Sequence, residues 1–322
     1  MKGNTYLNVL ELRRGCNMDE LHQVVMDVFT DAEADEGEKI TMFYKIADSS
    51  LQKEEFIGTS MDFHNFGVEC ARRNAEELAC DYLERGLNKY PTSVDLLADY
   101  IKYGMVCDRL DKCGEYYSIL MGISKNIWNW RAFRFSIDYL MTELEKGNYG
   151  DEIKQTALNL SSEFRQYLPY DENGYLAQAE IHKAFNEREL EIAILEEAIT
   201  KVARAPKSLL RLADIYYLDG RLEEALNLLY RCERDSLEPQ MGVSQGYLYY
   251  LVGLCQSNIL MKELDKEDQM DREVIRNKVM EIYDNMKIAR RILKDEHNSL
   301  LDEWKFLVNL LETKTKTEYP YY

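Results

Sequence analysis

The feature that most constrains this chain is a spacing pattern between Phe63 and Pro91 that is repeated along it, its copies falling in two pairs whose members stand 34 residues apart. Phe63, Phe66, Gly67 and Cys70 fall on one stripe of a first helix, and Asn74 suits a turn. Ala79, Leu83 and Gly86 form the facing stripe of a second helix that ends before Pro91. Shifted by 34 residues, the pattern meets Leu97, Tyr100, Ile101, Gly104, Cys113, Tyr117 and Leu120. It returns through Leu209, Leu212, Ala213, Tyr216, Gly220, Ala225, Leu229 and Cys232, with Pro239 beyond. One period earlier lie Tyr175, Gln178, Ala179, His182, Asn186, Leu195 and Ala198, followed by Pro206. A hairpin of this kind buries its apolar stripes only by stacking on its neighbours, so the repeat predicts an array of paired helices.

The rest of the chain fits the same reading. Residues 127–145 and 151–168 read as a longer hairpin, with Trp130, Phe133 and Ile137 on its first helix, Ala157, Leu160 and Phe164 on its second, and Pro169 closing it. Tyr247, Tyr250, Leu251 and Leu254 repeat the first-helix spacing. A charged insertion from Lys262 to Arg272 and a helix over 273–293 follow. Residues 19–29 and 38–47 predict a first hairpin joined by the acidic linker Asp31 to Glu38. The expected division is an N-terminal cap and first hairpin over 1–59, repeats over 60–293, a capping helix within 294–312 and a frayed tail over 313–322. Only 5 prolines and 16 glycines interrupt the chain, which favours long helices.

This pattern resembles the tetratricopeptide repeat, in which a large, a Leu-like, a small and a Tyr-like residue on helix A face small, aromatic and small residues on helix B. The likeness covers about residues 18–293 and is sharpest at 60–91 and 206–239; a generic helical-hairpin solenoid is the alternative. The fold it implies is all-α, a right-handed superhelical solenoid of antiparallel hairpins with a concave groove lined by the A helices. In the family, ligands usually contact that groove one residue after the large core position and at neighbouring turns. Carried over by position, the groove residues are His64 and Val68, Ala98 and Lys102, Trp128, Arg131, Phe135 and Asp138, Leu176, Glu180 and Lys183, then Leu210, Asp214 and Tyr217.

Within 128–135, one helix carries aromatics on more than one face together with two arginines. With Trp130 and Phe133 in the core stripe, Trp128, Arg131 and Phe135 project elsewhere, and exposed Trp and Arg are common interface anchors. The alternative is a wide helix packed against both neighbours. Some family members grip a peptide's terminal carboxylate with Lys and Asn; here His64 and Val68 stand at the first such positions, so that clamp is not expected. Lys102 and Arg131 on successive A helices could receive an acidic group, or be solvated charge.

Other classes are disfavoured. A formal charge of −18 repels phosphate backbones and anionic lipid, so neither nucleic acid nor a membrane is an expected partner. The four histidines are scattered, and neither an H-E-x-x-H nor a C-x-x-C is present, so no metal is expected. No phosphate loop, dinucleotide fingerprint or nucleophile elbow appears, and no cofactor and no catalysis are expected. Seven cysteines, an odd number set in apolar patterns, predict free thiols in a reducing cytoplasm. Met1 to Tyr6 opens no signal-like apolar run. The expectation is a scaffold or adaptor for a protein or peptide segment. The alternatives are a peptide-sensing regulator, on the faint likeness of residues 10–21 to a DNA-binding helix pair, and an accessory subunit of an enzyme complex.

Overall fold

The computed structural model describes residues 59–147, 150–235, 243–266 and 271–293, with Lys305, Asn309 and Thr313. The expected first hairpin, its acidic linker and the DNA-binding likeness lie outside the described residues. So do the C-terminal cap, apart from Lys305 and Asn309, and the tail, apart from Thr313.

Among the described residues the chain is all helical. Twelve α-helices follow one another: α1 Ser60–Arg72, α2 Glu76–Lys89, α3 Val94–Val106, α4 Leu110–Met121, α5 Trp130–Glu145, α6 Gly150–Tyr167, α7 Glu172–Ala184, α8 Arg188–Lys201, α9 Pro206–Leu218, α10 Leu222–Asp235, α11 Gln245–Lys266 and α12 Arg272–Leu293. They pack in sequence as six antiparallel pairs, each odd-numbered helix serving as the A helix of its pair. The chain divides between Leu168 and Pro169 into two compact units, the first holding α1–α6 and the second α7–α12.

The pairs form because each supplies small residues where two helices must meet. A Cβ on Gly67 would lie 2.8 Å from Leu83 Cγ, and one on Gly86 would lie 2.8 Å from Phe63 Cβ, so any larger residue would push α1 and α2 apart. Phe63, Phe66, Cys70, Ala79 and Leu83, all read from the repeat, are buried in that interface. Burial of each large side chain contributes about 1.5–3 kcal/mol. In the next pair Tyr116 rather than Tyr117 is buried, edge-on to Tyr100 with ring centroids 4.6 Å apart.

Four of the A-to-B turns share one backbone device. Asn74, Asp108, Asn186 and Gly220 adopt positive φ of 57°, 55°, 58° and 73°. At each, the next amide donates to the carbonyl five residues back: Ala75 to Cys70 at 3.0 Å, Arg109 to Gly104 at 2.8 Å, Glu187 to His182 at 2.9 Å and Arg221 to Tyr216 at 2.9 Å. This left-handed cap satisfies the last carbonyls of helix A and reverses the chain within three residues. Asn and Asp tolerate the conformation that a branched residue would not. The positions 74 and 108, and again 186 and 220, stand one repeat apart. The α5–α6 pair turns on Gly147 instead, at φ 82°.

The charged stretch 262–272 is not a separate insertion where it is described, because α11 runs unbroken to Lys266. Met261 and Leu264 pack against the second unit's core, while Glu263 pairs with Lys278 of α12. Strong helix formers spaced on the solvent face carry the helix through its charges. No helix among the described residues is long and apolar enough to cross a membrane.

Candidate functional site

A polar network links the A helices α1, α3 and α5 of the first unit. Its geometry starts from local rules. Asn129 caps α5 by accepting from the amides of Arg131 at 3.0 Å and Ala132 at 3.1 Å, and this leaves its Nδ2 to donate to Asp95 Oδ1 at 2.7 Å. Asp95 and Asp99 stand one turn apart on α3. Arg131 Nη2 donates to Asp95 Oδ1 at 2.8 Å, and Arg131 Nε lies 3.9 Å from Asp99 Oδ1. Arg131 Nη1 donates to His64 Nε2 at 3.2 Å. On the other side of the ring, His64 Nδ1 lies 2.7 Å from Asp99 Oδ2. Asp99 is only 1% exposed, with the His64 ring and the Arg131 guanidinium as its polar and charged neighbours, although its Oδ2 makes no well-aligned hydrogen bond. His64 and Arg131, both expected from the sequence, are thus joined across three helices, and Arg131 is committed to two aspartates rather than open to an acidic ligand.

One turn further along, the surface changes character. Lys102 is exposed on α3, with its Nζ 4.9 Å from the Tyr103 ring centre and 5.2 Å from that of Phe135 on α5. Both rings are largely buried, so they form a platform that holds the ammonium through their electron-rich faces. Burial, and next Asp99, push the Tyr103 hydroxyl up to about 12.

Within 128–135, Phe133 lies in the core as expected, but Phe135 is buried and the two tryptophans exchange the places expected of them. Trp128 is 5% exposed and lies tilted at 59° against Phe133 with ring centroids 4.9 Å apart, whereas Trp130 is 41% exposed and meets Phe135 edge-on at 6.0 Å. The physical reason is the position of the cap. Helix α5 begins at Trp130, so Trp128 precedes the Asn129 cap in extended backbone and does not follow the helical phase. It points inward beneath Lys125, whose ammonium sits 3.4 Å from its ring centre, and Phe133 stacks in turn on Phe164 at 5.0 Å. Trp128 is therefore a core residue, and Trp130 takes the surface role.

In the second unit the A helices carry a different set. Arg211 of α9 lies 3.4 Å from Glu180 of α7 and donates to Glu191 of α8 at 2.8 Å and 3.0 Å. Glu191 occupies the position where the other repeats place Ala79, Cys113 and Ala225, and it is buried only because Arg211 meets it. The Tyr247 hydroxyl of α11 donates to Asp214 of α9 at 2.8 Å. Lys183 is exposed in the last turn of α7, and Tyr217 is half-buried against the core. Ala98, Phe135 and Leu176, read as groove residues, are buried.

Sequence reasoning missed Asp95, Asp99, Trp130, Arg211, Glu191 and Tyr247. A usable signal was present: complementary groups about one repeat apart, such as Asn129 and Asp95 at 34 residues, Tyr247 and Asp214 at 33, and Arg131 and Asp95 at 36. Arg109 of the α3–α4 turn likewise reaches Glu77 and Asp81 of α2.

Among the described residues no group of three or more His, Cys, Asp or Glu is placed to hold a metal ion. Four of the buried thiols are protonated core groups: burial pushes Cys113 up to about 11 and Cys255 up to about 12, and raises Cys70 and Cys80 further.

No family model matches the sequence. No curated protein matches it either. Solved structures do match. A tetratricopeptide repeat protein from Parabacteroides merdae aligns with a TM-score of 0.50 at 12% identity, over 93% of this chain and 99% of that one. The pilF protein of Pseudomonas aeruginosa aligns with a TM-score of 0.51 at 15% identity, over 78% of this chain and 97% of that one. At such identities the likeness concerns architecture, and with the recurring stripes, small-residue contacts and left-handed turns it establishes that this chain has the tetratricopeptide-repeat fold.

Proposed function

We propose that the protein is a non-catalytic scaffold that binds a protein or peptide segment through the exposed side of its A helices, in the cytoplasm. The observation that carries this reading is the use made of each face. The apolar stripes are consumed between neighbouring helices, while the A-helix side of the first unit keeps an exposed tryptophan and an exposed lysine on a rigid aromatic base. Side chains held in place by packing lose little entropy on binding, and Trp is among the residues that dominate interfaces. The polar networks at His64–Asp99–Arg131 and Glu180–Arg211 fix the A helices relative to their neighbours within each unit. Lys183, Asp214 and Tyr217 are the corresponding contact positions of the second unit, and the six described free thiols suit a reducing compartment.

The test is co-purification. The tagged chain is recovered from its native cells under gentle conditions and its companions identified by mass spectrometry, in parallel with Trp130→Ala and with Glu115→Lys, which alters the exposed side of α4. The reading expects a stoichiometric companion lost with Trp130→Ala and kept with Glu115→Lys. A companion equally retained by both variants, or a catalytic turnover that survives removal of all companions, would overturn it.

A further inference from the structure

Lys102 is the distinctive group of the first unit's A-helix side. Arg131 is held by Asp95 and Asp99, and Arg134 by Asp138 at 2.9 Å, but among the described residues Lys102 forms no ion pair. Its charge rests on the faces of Tyr103 and Phe135. Next to it stand two exposed apolar groups: Trp130, against the edge of Phe135, and Val106, one turn along α3 and 67% exposed. Arg72 at the end of α1 adds a largely exposed guanidinium, and its partner Glu69, 3.6 Å away, also serves Arg73 at 3.0 Å. What sets Lys102 apart is its place over two buried rings beside the exposed indole of Trp130.

We infer that this patch receives an acidic partner segment, in which an Asp or Glu side chain meets Lys102 while a neighbouring large apolar side chain covers Trp130. The inference rests on the A-helix side being the binding face. Its physical basis is preorganisation. The two rings fix the ammonium before the partner arrives, so a carboxylate gains the attraction without having to order a flexible lysine or displace a resident anion. A basic segment would meet Lys102 with like charge. A segment with no carboxylate would cover the indole but leave the ammonium partly desolvated and unpaired.

The experiment uses fluorescein-labelled short peptides, acetylated and amidated so that no terminal charge contributes, and the full chain. One carries paired Glu and Phe residues, a second replaces each Glu with Gln, and a third replaces each Glu with Lys. Anisotropy titrations at fixed salt are expected to show the Glu peptide binding roughly tenfold more tightly than the Gln peptide. Lys102→Glu is expected to abolish that preference and to favour the Lys peptide, and Trp130→Ala to weaken the Glu and Gln peptides alike. Both positions are exposed, and circular dichroism verifies that the variants fold. Equal binding of the Glu and Gln peptides, or a Glu-peptide affinity unchanged by Lys102→Glu, overturns the inference. A native-chain preference for the Lys peptide also overturns it, while leaving the scaffold reading intact. Binding of none of the three removes the acidic-segment inference, and the co-purification above then decides the scaffold reading independently.

Discussion

Replacing Arg131 with Met keeps most of the side-chain length and removes the charge from the centre of the first unit's polar network. The carboxylate that suffers is Asp99, 1% exposed and 3.9 Å from the guanidinium. At that separation and an effective dielectric of ~20, the lost attraction is about 4 kcal/mol. Asp95, a third exposed, recovers solvation when its partner goes and adds at most about 1 kcal/mol. His64 remains 2.7 Å from Asp99 and offsets part of the cost, so the net destabilisation expected for Arg131→Met is about 2–4 kcal/mol. Urea unfolding followed by far-ultraviolet circular dichroism measures it. A second variant, Asp99→Asn with Arg131→Met, removes the stranded charge and is expected to recover about 1–3 kcal/mol relative to the sum of the single changes. Arg131→Met within about 0.5 kcal/mol of the native chain, or strictly additive single effects, would refute the reasoning that Asp99 depends on this arginine.

Trp128→Ala is expected to cost about 3–5 kcal/mol and Trp130→Ala less than about 0.5 kcal/mol, read from the same unfolding curves; comparable losses would contradict the inverted placement of the two rings. Gly104→Ala places a Cβ 2.6 Å from Cys113 Sγ and is expected to lower stability by about 1–3 kcal/mol. Gly114→Ala meets only the far end of Tyr139 at 2.8 Å and is expected to be neutral or to gain up to about 1 kcal/mol from helix propensity, so a thermal melt that ranks the two glycines the other way rejects the packing argument. The Tyr249 hydroxyl, which donates to Glu233 at 2.7 Å and is pushed up to about 12 first by that bond and then by burial, ionises later in the folded chain than in the unfolded one. Its stabilising contribution is therefore complete below about pH 10 and lost as pH rises toward about 12. Tyr249→Phe is expected to shrink the fall in stability across that window, and an unchanged alkaline profile counts against it.

The hairpins were readable because their signal is local. Phe63, Phe66, Gly67 and Cys70 recur at helical spacing, and a glycine facing Leu83 announces a close approach within a window of some twenty residues. Asn74 was recognisable as a turn, and its counterpart Asp108, which went unread, adopts the same left-handed conformation one repeat later. The length of α11 was hidden by charges that looked like a break yet pair across to α12. The site was harder. Trp128 was misread because its phase depended on where Asn129 would begin the helix, a difference of two residues. Asp95 and Asp99 went unnoticed because their partners lie about one repeat away, where no local window reaches.

That one-repeat separation has a consequence for synthesis. A ribosome delivers α3 well before Arg131 of α5, so the nascent first pairs hold Asp99 with His64 alone for the time needed to add some thirty residues. During that interval complete docking of α3 on α1 would bury the Asp99 carboxylate before its guanidinium neighbour has been made, at a cost that the arrival of α5 would relieve.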